Sequence, residues 1–125
     1  MKKIIRQTLK SVQLLPLMLL SLMTFEAHAA TAKFGTSIDQ FIITEGRYGN
    51  CMARLDISPQ SQLPDCNNSW VSFSCDGTYA SKEVAYRMLE LSQMAYALEK
   101  NVTIHLDDSR KHNGYCFAYR VDLRK

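Results

Sequence analysis

Two kinds of hydrophobic periodicity divide the chain after residue 37. Apolar and polar residues alternate in CMARLDI, SWVSFSC, NVTIHLDD and GYCFAYRVDL, and this period of two predicts half-buried strands. SIDQFIITE is rich in β-branched and aromatic residues and predicts an earlier strand. The polar, small-residue stretch before it, residues 30–37, predicts a frayed start without regular structure. The predicted strands cover residues 37–45, 51–57, 69–75, 101–108 and 114–123.

The long stretch between the third and fourth predicted strands has the period of an α-helix. Ser81 is a suitable N-cap, Glu83 lies in the first turn, and Lys100-Asn101 suits the C-terminal end. Such an amphipathic helix packs its apolar stripe on the core, and a groove for a partner protein is the alternative interpretation. The stripe consists of Val84, Met88, Leu91, Ala95 and Leu98.

The resulting order, β-β-β-α-β-β, indicates a mainly β domain of the α+β class. Three strands, one helix and a hairpin follow each other in the OB-fold, a small Greek-key barrel. We therefore predict a single small OB-like barrel over residues 30–125. An open antiparallel sheet with the helix on one face is the second possibility.

The first 29 residues have the three parts of a secretory signal peptide. A basic segment, MKKIIRQTLK, precedes the apolar run VQLLPLMLLSLMTF, and Ala27-His28-Ala29 provides a cleavage site. The apolar run is short and contains Pro16, which makes a retained membrane anchor the weaker alternative. We predict cleavage after Ala29, export to the periplasm or secretion from the cell, and no stable membrane insertion of the mature domain.

The formal charge of +3 comes from this leader. The whole chain has 15 Lys+Arg and 12 Asp+Glu, of which the leader holds four bases and one acid. The mature domain keeps 11 of each, so its net charge is about zero. Because nucleic-acid binding needs a basic patch on the folded domain, the sequence predicts no nucleic-acid partner.

All four cysteines lie in the mature domain, and an exported small domain uses such an even set as disulfides. Their spacing fits no zinc ribbon or finger. In a barrel of the predicted order, strands two and three are antiparallel, which brings Cys51 to Cys75. Strands three and five run parallel, which brings Cys66 to Cys116. The predicted bridges are therefore Cys51–Cys75 and Cys66–Cys116.

The densest group of chemically active side chains lies in HLDDSRKHNGYC, residues 105–116. A metal site built from its histidines and aspartates would need further ligands from elsewhere, since the mature domain has no third histidine. A hydrolase built from Ser109 and His112 would need both held by rigid elements and a third group to orient the base. Asn113-Gly114 instead marks a tight hairpin turn, which explains most of the stretch. We predict no metal, no cofactor and no catalytic residue here.

A second loop, EGRYGN, suggests a function for the hairpin. In OB-folds the loop between strands four and five and the loop between strands one and two form two lips of the binding face. Residues 45–50 and 107–114 would form these lips, and an aromatic ring among cationic groups suits a sugar or an anion. Trp70 is either a second aromatic platform or a core residue. The predicted binding residues are Arg47, Tyr48, Arg110, Lys111 and His112.

From about Ile38 to Leu123, the strand–helix order and intramolecular disulfides resemble the small B subunits of bacterial AB-type toxins. This resemblance implies an OB-fold, assembly into rings and binding of host glycans, although two predicted bridges replace the single one of the enterotoxin type. The runs FSCDG…SK…AYRML and DDSRKHNGYC are also similar to uncharacterised small exported proteins of gammaproteobacteria. Neither resemblance transfers a function to particular residues.

Two functions follow as hypotheses. The first is an exported, non-catalytic binding module that recognises a glycan or a small anionic ligand through its two loops, with assembly into a homo-oligomer as part of the hypothesis. The second is a periplasmic inhibitor or immunity-type protein that binds a protein partner. Enzymatic activity is not predicted.

Overall fold

The computed structural model describes residues 29–125. These residues contain a six-stranded mixed sheet and one α-helix. The predicted signal peptide, residues 1–29, lies outside the described residues except for Ala29. Short 3-10 helices cover Tyr48–Asn50 and Pro59–Ser61. In chain order the main elements are β1 (Thr31–Thr36), β2 (Ile38–Ile43), β3 (Cys51–Leu55), β4 (Trp70–Ser72), α1 (Lys82–Ala97), β5 (Val102–His112) and β6 (Tyr115–Leu123).

The strands lie in the order β1-β5-β6-β4-β3-β2. All neighbours are antiparallel except β4 and β6, which are parallel and meet where Ser72 pairs with Phe117. The sheet is not closed by hydrogen bonds, since its two end strands, β1 and β2, do not pair with each other. These end strands are nevertheless consecutive in the chain, with only Ser37 between them.

The first strand corrects the predicted order, because residues 30–37 were expected to lack regular structure. Thr31–Thr36 pairs with β5 along its whole length, and its side chains Phe34 and Thr36 are buried. The backbone N–H of Asp108 also donates to the carbonyl oxygen of Ala30. The observed order is therefore β-β-β-β-α-β-β. The partner of β1 lies some 70 residues further along the chain, where a local pattern cannot reveal it.

Helix α1 has the predicted N-cap, since the Ser81 hydroxyl accepts a hydrogen bond from the Val84 N–H at 3.2 Å. Its buried face differs from the predicted stripe by about one position. Val84 and Leu98 are 51% and 58% exposed. The buried residues of the helix are Ala85, Met88, Leu89, Ser92 and Ala95. Within residues 29–125 the structure has no helix whose length and apolar character would let it span a membrane.

Two disulfides, Cys51–Cys75 and Cys66–Cys116, lie in the core. They are the two pairs that were predicted from the expected arrangement of neighbouring strands. None of the four cysteines is more than 2% exposed. Cys66–Cys116 fastens the loop between β3 and β4 to the start of β6. The N–H of Asn67, beside it, donates to the Gly114 carbonyl oxygen at 2.9 Å.

Removing either bridge should lower the free energy of unfolding by about 2–4 kcal/mol, because a disulfide restricts the unfolded chain. The bridges span 24 and 50 residues. We expect the Cys66→Ala/Cys116→Ala variant to lose about 0.6 kcal/mol more than the Cys51→Ala/Cys75→Ala variant, since each doubling of loop length adds about that much. Urea denaturation measures both losses. Peptide mapping of the native protein that joined Cys51 to Cys66 would contradict the arrangement.

Candidate functional site

The tip of the β5–β6 hairpin is the point where three loops meet. Asn113 and Gly114 form its two-residue turn, and both have positive φ, 55° and 86°, as a type I′ turn requires. On one side Gly114 contacts Asn67 of the β3–β4 loop. On the other side the Asn113 Oδ1 accepts a hydrogen bond from the backbone N–H of Tyr48 at 3.3 Å. The two predicted lips, residues 45–50 and 107–114, are therefore in direct contact.

The loop between β2 and β3 is tightly coiled where it meets the hairpin. Its ends are tied by the Thr44 N–H, which donates to the Asn50 carbonyl oxygen at 2.9 Å. Gly49 has a φ of 67° and lies against the His112 ring. A Cβ at this position would lie 2.7 Å from His112 Cδ2 and 2.9 Å from Nε2, and would also meet the Ser72 hydroxyl. Only glycine allows this close approach.

His112 is held by a partly buried polar network from the segment after β4. The Ser74 hydroxyl donates to Asp76 Oδ1 at 2.9 Å and accepts the N–H of Tyr79 at 2.9 Å. The His112 Nε2 lies 3.1 Å from the same hydroxyl and 3.6 Å from Asp76 Oδ1. Because the single hydroxyl proton goes to the carboxylate, the His112 Nε2 must carry a proton and donate it. The Tyr79 ring packs on the imidazole, with centroids 4.8 Å apart.

Asp76 stays ionised in this network. Burial alone would raise the pKa of its carboxyl, but hydrogen bonds from the hydroxyl and N–H of Thr78 and from the Ser74 hydroxyl, with the nearby His112, together lower that pKa. An ionised carboxylate accepts hydrogen bonds only, which keeps both the Ser74 hydroxyl and the His112 N–H oriented toward it.

Ser74, His112 and Asp76 contain the residue types of a hydrolytic triad but not its geometry. In a triad the base lies between the nucleophile and the orienting carboxylate, each at a different ring nitrogen. Here Ser74 and Asp76 both lie at Nε2, and Ser74 is completely buried. Ser109, the serine considered from the sequence, donates instead to Asp107 Oδ1 at 2.6 Å. The network orients the imidazole ring.

Two cavities adjoin at Tyr48, and together we call them the cleft. The aromatic cavity has a volume of about 130 Å³ and is lined by Ile42, Tyr48, Met52, Trp70 and Tyr115. The polar cavity has a volume of about 230 Å³ and is lined by Gly46, Arg47, Tyr48, Gly49, Asn50, Asp76, His112 and Asn113. Tyr48 packs edge-on against Tyr115, with ring centroids 5.7 Å apart. Tyr48 is therefore the residue that the two cavities share, and its ring is held against Tyr115.

Three of the five predicted binding residues line the cleft, namely Arg47, Tyr48 and His112. Arg110 and Lys111 do not. The register of the β5–β6 pair shifts between Asp107 and Lys111, so that residues 108–110 bulge from the strand. Arg110 turns back, and its guanidinium lies 4.6 Å above the Phe117 ring. Lys111 Nζ donates to the Asp65 carbonyl oxygen at 3.3 Å.

The bulge is held by a buried carboxylate, Asp107. Its Oδ1 accepts the backbone N–H of Ser109 at 2.8 Å, and its Oδ2 accepts the Nε–H of Arg110 at 2.7 Å. Burial would raise the pKa of Asp107, but the hydrogen bonds from Ser109 and Arg110 outweigh burial and lower it. The charge of Arg110 is thus used within the fold.

The aspartates and histidines considered as metal ligands point to separate partners. His105 Nε2 lies 2.9 Å from Asp122 Oδ2, and Asp108 Oδ1 accepts the N–H of Ala30 at 2.8 Å. Asp107 and His112 belong to the networks above. Across the described part of the chain, no group of three or more His, Cys, Asp or Glu side chains could hold a metal ion.

Sequence reasoning missed several residues of the cleft. Trp70, which the sequence offered as either an aromatic platform or a core residue, lines the aromatic cavity. Tyr115 was placed on a strand without a role, although its position next to the hairpin turn is a signal that could have found it. Ser74 was assigned to the third predicted strand, and Asp76, just after that strand, was given no role. The pattern S-C-D-G-T carries a signal for an Asx-type turn, but not for its contact with His112.

Comparisons of the chain with protein-family models, curated proteins and solved structures find no match.

The contact between Gly49 and His112 can be tested with a matched pair of glycines. Gly46 and Gly49 both have positive φ, 73° and 67°, but a Cβ at Gly46 would meet nothing within 4 Å. We expect Gly46→Ala to lower the free energy of unfolding by about 1–2 kcal/mol, which is the cost of the left-handed conformation alone for an alanine. Gly49→Ala should cost at least about 1–3 kcal/mol more, because its methyl group overpacks the site. Equal losses in urea denaturation would contradict the contact.

Proposed function

We propose that this protein is an exported, non-catalytic binding module that takes a glycan in the cleft. The observation that carries the proposal is that an aromatic cavity and a polar cavity share one lining residue, Tyr48. Small-ligand sites have this combination of apolar walls and a few convergent polar groups.

The aromatic cavity suits one face of a sugar ring. Trp70, Tyr48 and Tyr115 supply aromatic surfaces, and Ile42 and Met52 complete an apolar lining. An apolar cavity of about 150 Å³ holds a benzene molecule, so a volume of about 130 Å³ suits part of a six-membered ring in an open cavity. The C–H face of a pyranose would replace water on these rings.

The polar cavity suits the hydroxyl and carbonyl groups of the same ligand. Arg47 makes no ion pair with any acidic side chain among residues 29–125, which leaves its guanidinium donors for a ligand. Asn113 and His112 add groups whose orientation is set by their contacts with Tyr48 and Ser74. Such preorganised groups lose little conformational entropy when a ligand binds.

We also propose that this six-stranded sheet is an OB-like barrel. Support comes from β1 and β2, which are joined by Ser37 alone yet pair with opposite ends of the sheet, as two halves of one bent strand would. Two disulfides support an exported domain in the periplasm or outside the cell. The similarity to B subunits of AB-type toxins and assembly into a ring complete this hypothesis.

One observation favours the second function, a periplasmic inhibitor or immunity-type protein. Val84 and Met94 on helix α1 and Leu98 at its C-cap are exposed, with exposed fractions of 51%, 54% and 58%. Apolar side chains gathered on one exposed surface suit a protein partner. This surface contributes no residue to the cleft, so the two functions can be separated by mutation.

The glycan proposal is tested with aromatic variants of the cleft. A glycan array selects a bound oligosaccharide, and calorimetry then measures its affinity for the wild type and for Tyr48→Ala and Trp70→Ala. We expect each variant to lose about tenfold or more in affinity, because an aromatic platform contributes about 1–3 kcal/mol. Tyr86→Ala is the matched control, since Tyr86 is 46% exposed on α1 outside the cleft.

Binding by the Tyr48→Ala and Trp70→Ala variants at wild-type affinity, with folding intact, would contradict the proposal. Binding of a protein partner that is lost on Val84→Ser or Leu98→Ser, and not on the cleft variants, would support the second function. Size-exclusion chromatography with light scattering adds the oligomeric state: a pentamer supports the ring, and a monomer or dimer supports the inhibitor.

A further inference from the structure

We propose that proteolytic removal of the leader after Ala29 creates an ion pair between the new α-amino group of Ala30 and the carboxylate of Asp108. The inference lies outside the cleft and rests on one part of the proposed function, the export of the chain. It is carried by two hydrogen bonds between Ala30 and Asp108 and by the lack of a cationic partner for Asp108 in the described part of the chain.

Ala30 is held to β5 by a reciprocal pair of hydrogen bonds. Its backbone N–H donates to Asp108 Oδ1 at 2.8 Å, and its carbonyl oxygen accepts the backbone N–H of Asp108 at 3.1 Å. The pairing of β1 with β5 begins at the next residue, where Thr31 lies opposite Asp107. Ala29 is exposed and has no regular structure. Among the described residues, contact with the sheet therefore starts at the residue that follows the predicted cleavage site.

The Asp108 carboxylate makes no ion pair with a basic side chain in the described part of the chain. Asp108 is half-buried, and the basic side chains that follow it have other partners. The Arg110 Nε–H donates to Asp107 at 2.7 Å, and Lys111 Nζ donates to the Asp65 carbonyl oxygen at 3.3 Å. A half-buried carboxylate loses part of its hydration, and a nearby positive charge offsets that loss. Cleavage after Ala29 supplies such a charge at this position.

Hydrolysis of the Ala29–Ala30 peptide bond changes the donor that faces Asp108. Water adds across the bond, so that Ala29 leaves with a carboxylate and Ala30 keeps the nitrogen as an amine, which takes up a proton at neutral pH. The amide N–H of the precursor thereby becomes an ammonium group with three N–H donors. Because both partners are then charged, the hydrogen bond to Asp108 becomes stronger. The nitrogen already lies 2.8 Å from Oδ1, which is the contact distance of an ion pair.

The ion pair fastens the first strand at one end of the sheet. Strand β1 is one of the two end strands and pairs with β5 on one side only. The first residues of a domain fray readily unless they are tied down, and a charged contact at Ala30 opposes this fraying. Leader removal therefore gives the mature domain a contact that the precursor does not have, and the mature form is the more stable of the two.

The test separates the charge of the amine from the rest of the contact. The full chain is exported by a bacterial host and purified from the periplasm, and its intact mass identifies the first residue. We expect a mature chain that starts at Ala30. Part of this protein is acetylated at the α-amino group in urea at pH 6.5, where the lysine amines remain protonated, and is then refolded. The acetyl group removes the positive charge but restores the amide N–H of the precursor.

Urea denaturation at pH 6.5 compares the wild type with Asp108→Asn, each with a free and an acetylated α-amino group. In the wild type we expect acetylation to raise the equilibrium constant for unfolding about twofold to fivefold, as expected for an ion pair at a protein surface. In Asp108→Asn it should have no effect, because the amide oxygen accepts a hydrogen bond but carries no charge. Asp65→Asn is the matched control, since Asp65 is exposed and has no ion pair in the described part of the chain. Acetylation should affect it as it affects the wild type.

An equal effect of acetylation in the wild type and in Asp108→Asn overturns the inference, as does the absence of any effect in the wild type. A mature chain that starts at another residue also overturns it. If Asp108→Asn does not fold, the effect of acetylation in the wild type must decrease in 1 M salt, where the screening length is about 3 Å, and an unchanged effect overturns the inference. A chain that is not exported overturns both this inference and the export in the proposed function. Glycan binding by the cleft is measured separately and does not depend on any of these outcomes.

Discussion

The close approach of Gly49 to the His112 ring is the contact on which the cleft depends. It lets the β2–β3 loop rest directly on the tip of the β5–β6 hairpin, 63 residues later in the chain. A side chain between them would separate Tyr48 from Asn113 and Tyr115 and open the junction of the two cavities. The left-handed conformation and the lack of a Cβ at Gly49 are both needed, so the conformational cost of glycine is offset by a packed contact.

Several networks hold the two partners of this contact in position. Ser74 and Asp76 fix the imidazole ring, and the Cys51–Cys75 bridge fixes the segment that carries them. The Cys66–Cys116 bridge fastens the hairpin from the other side. In a domain of this size, where burial alone gives marginal stability, covalent links next to the site keep it formed without a ligand.

The sequence predicts those parts of the molecule whose signals are local. Asn113-Gly114 indicates the hairpin turn and Ser81 the start of the helix, and the expected strand neighbours give the cysteine pairs. Strand β1 could not be found in this way, because its partner is distant and its residues, apart from Phe34, are small or polar. Arg110 was misplaced because residues 107–114 were expected to form a loop, whereas strand β5 continues to His112 and Asp107 draws the residues after it into a bulge. Contacts between buried polar groups, such as Ser74 with His112, leave little trace in a linear pattern.

Nitrogen-15 NMR of the His112 ring, in the free protein at pH 7.5, tests most directly whether the cleft is formed in advance of binding. The account predicts a single tautomer with the proton on Nε2, a slowly exchanging ring N–H, and a nuclear Overhauser effect between the ring and the Gly49 α-protons. A mixture of tautomers, or the proton on Nδ1, with no Overhauser effect to Gly49, would contradict it. The cleft would then form only when a ligand binds.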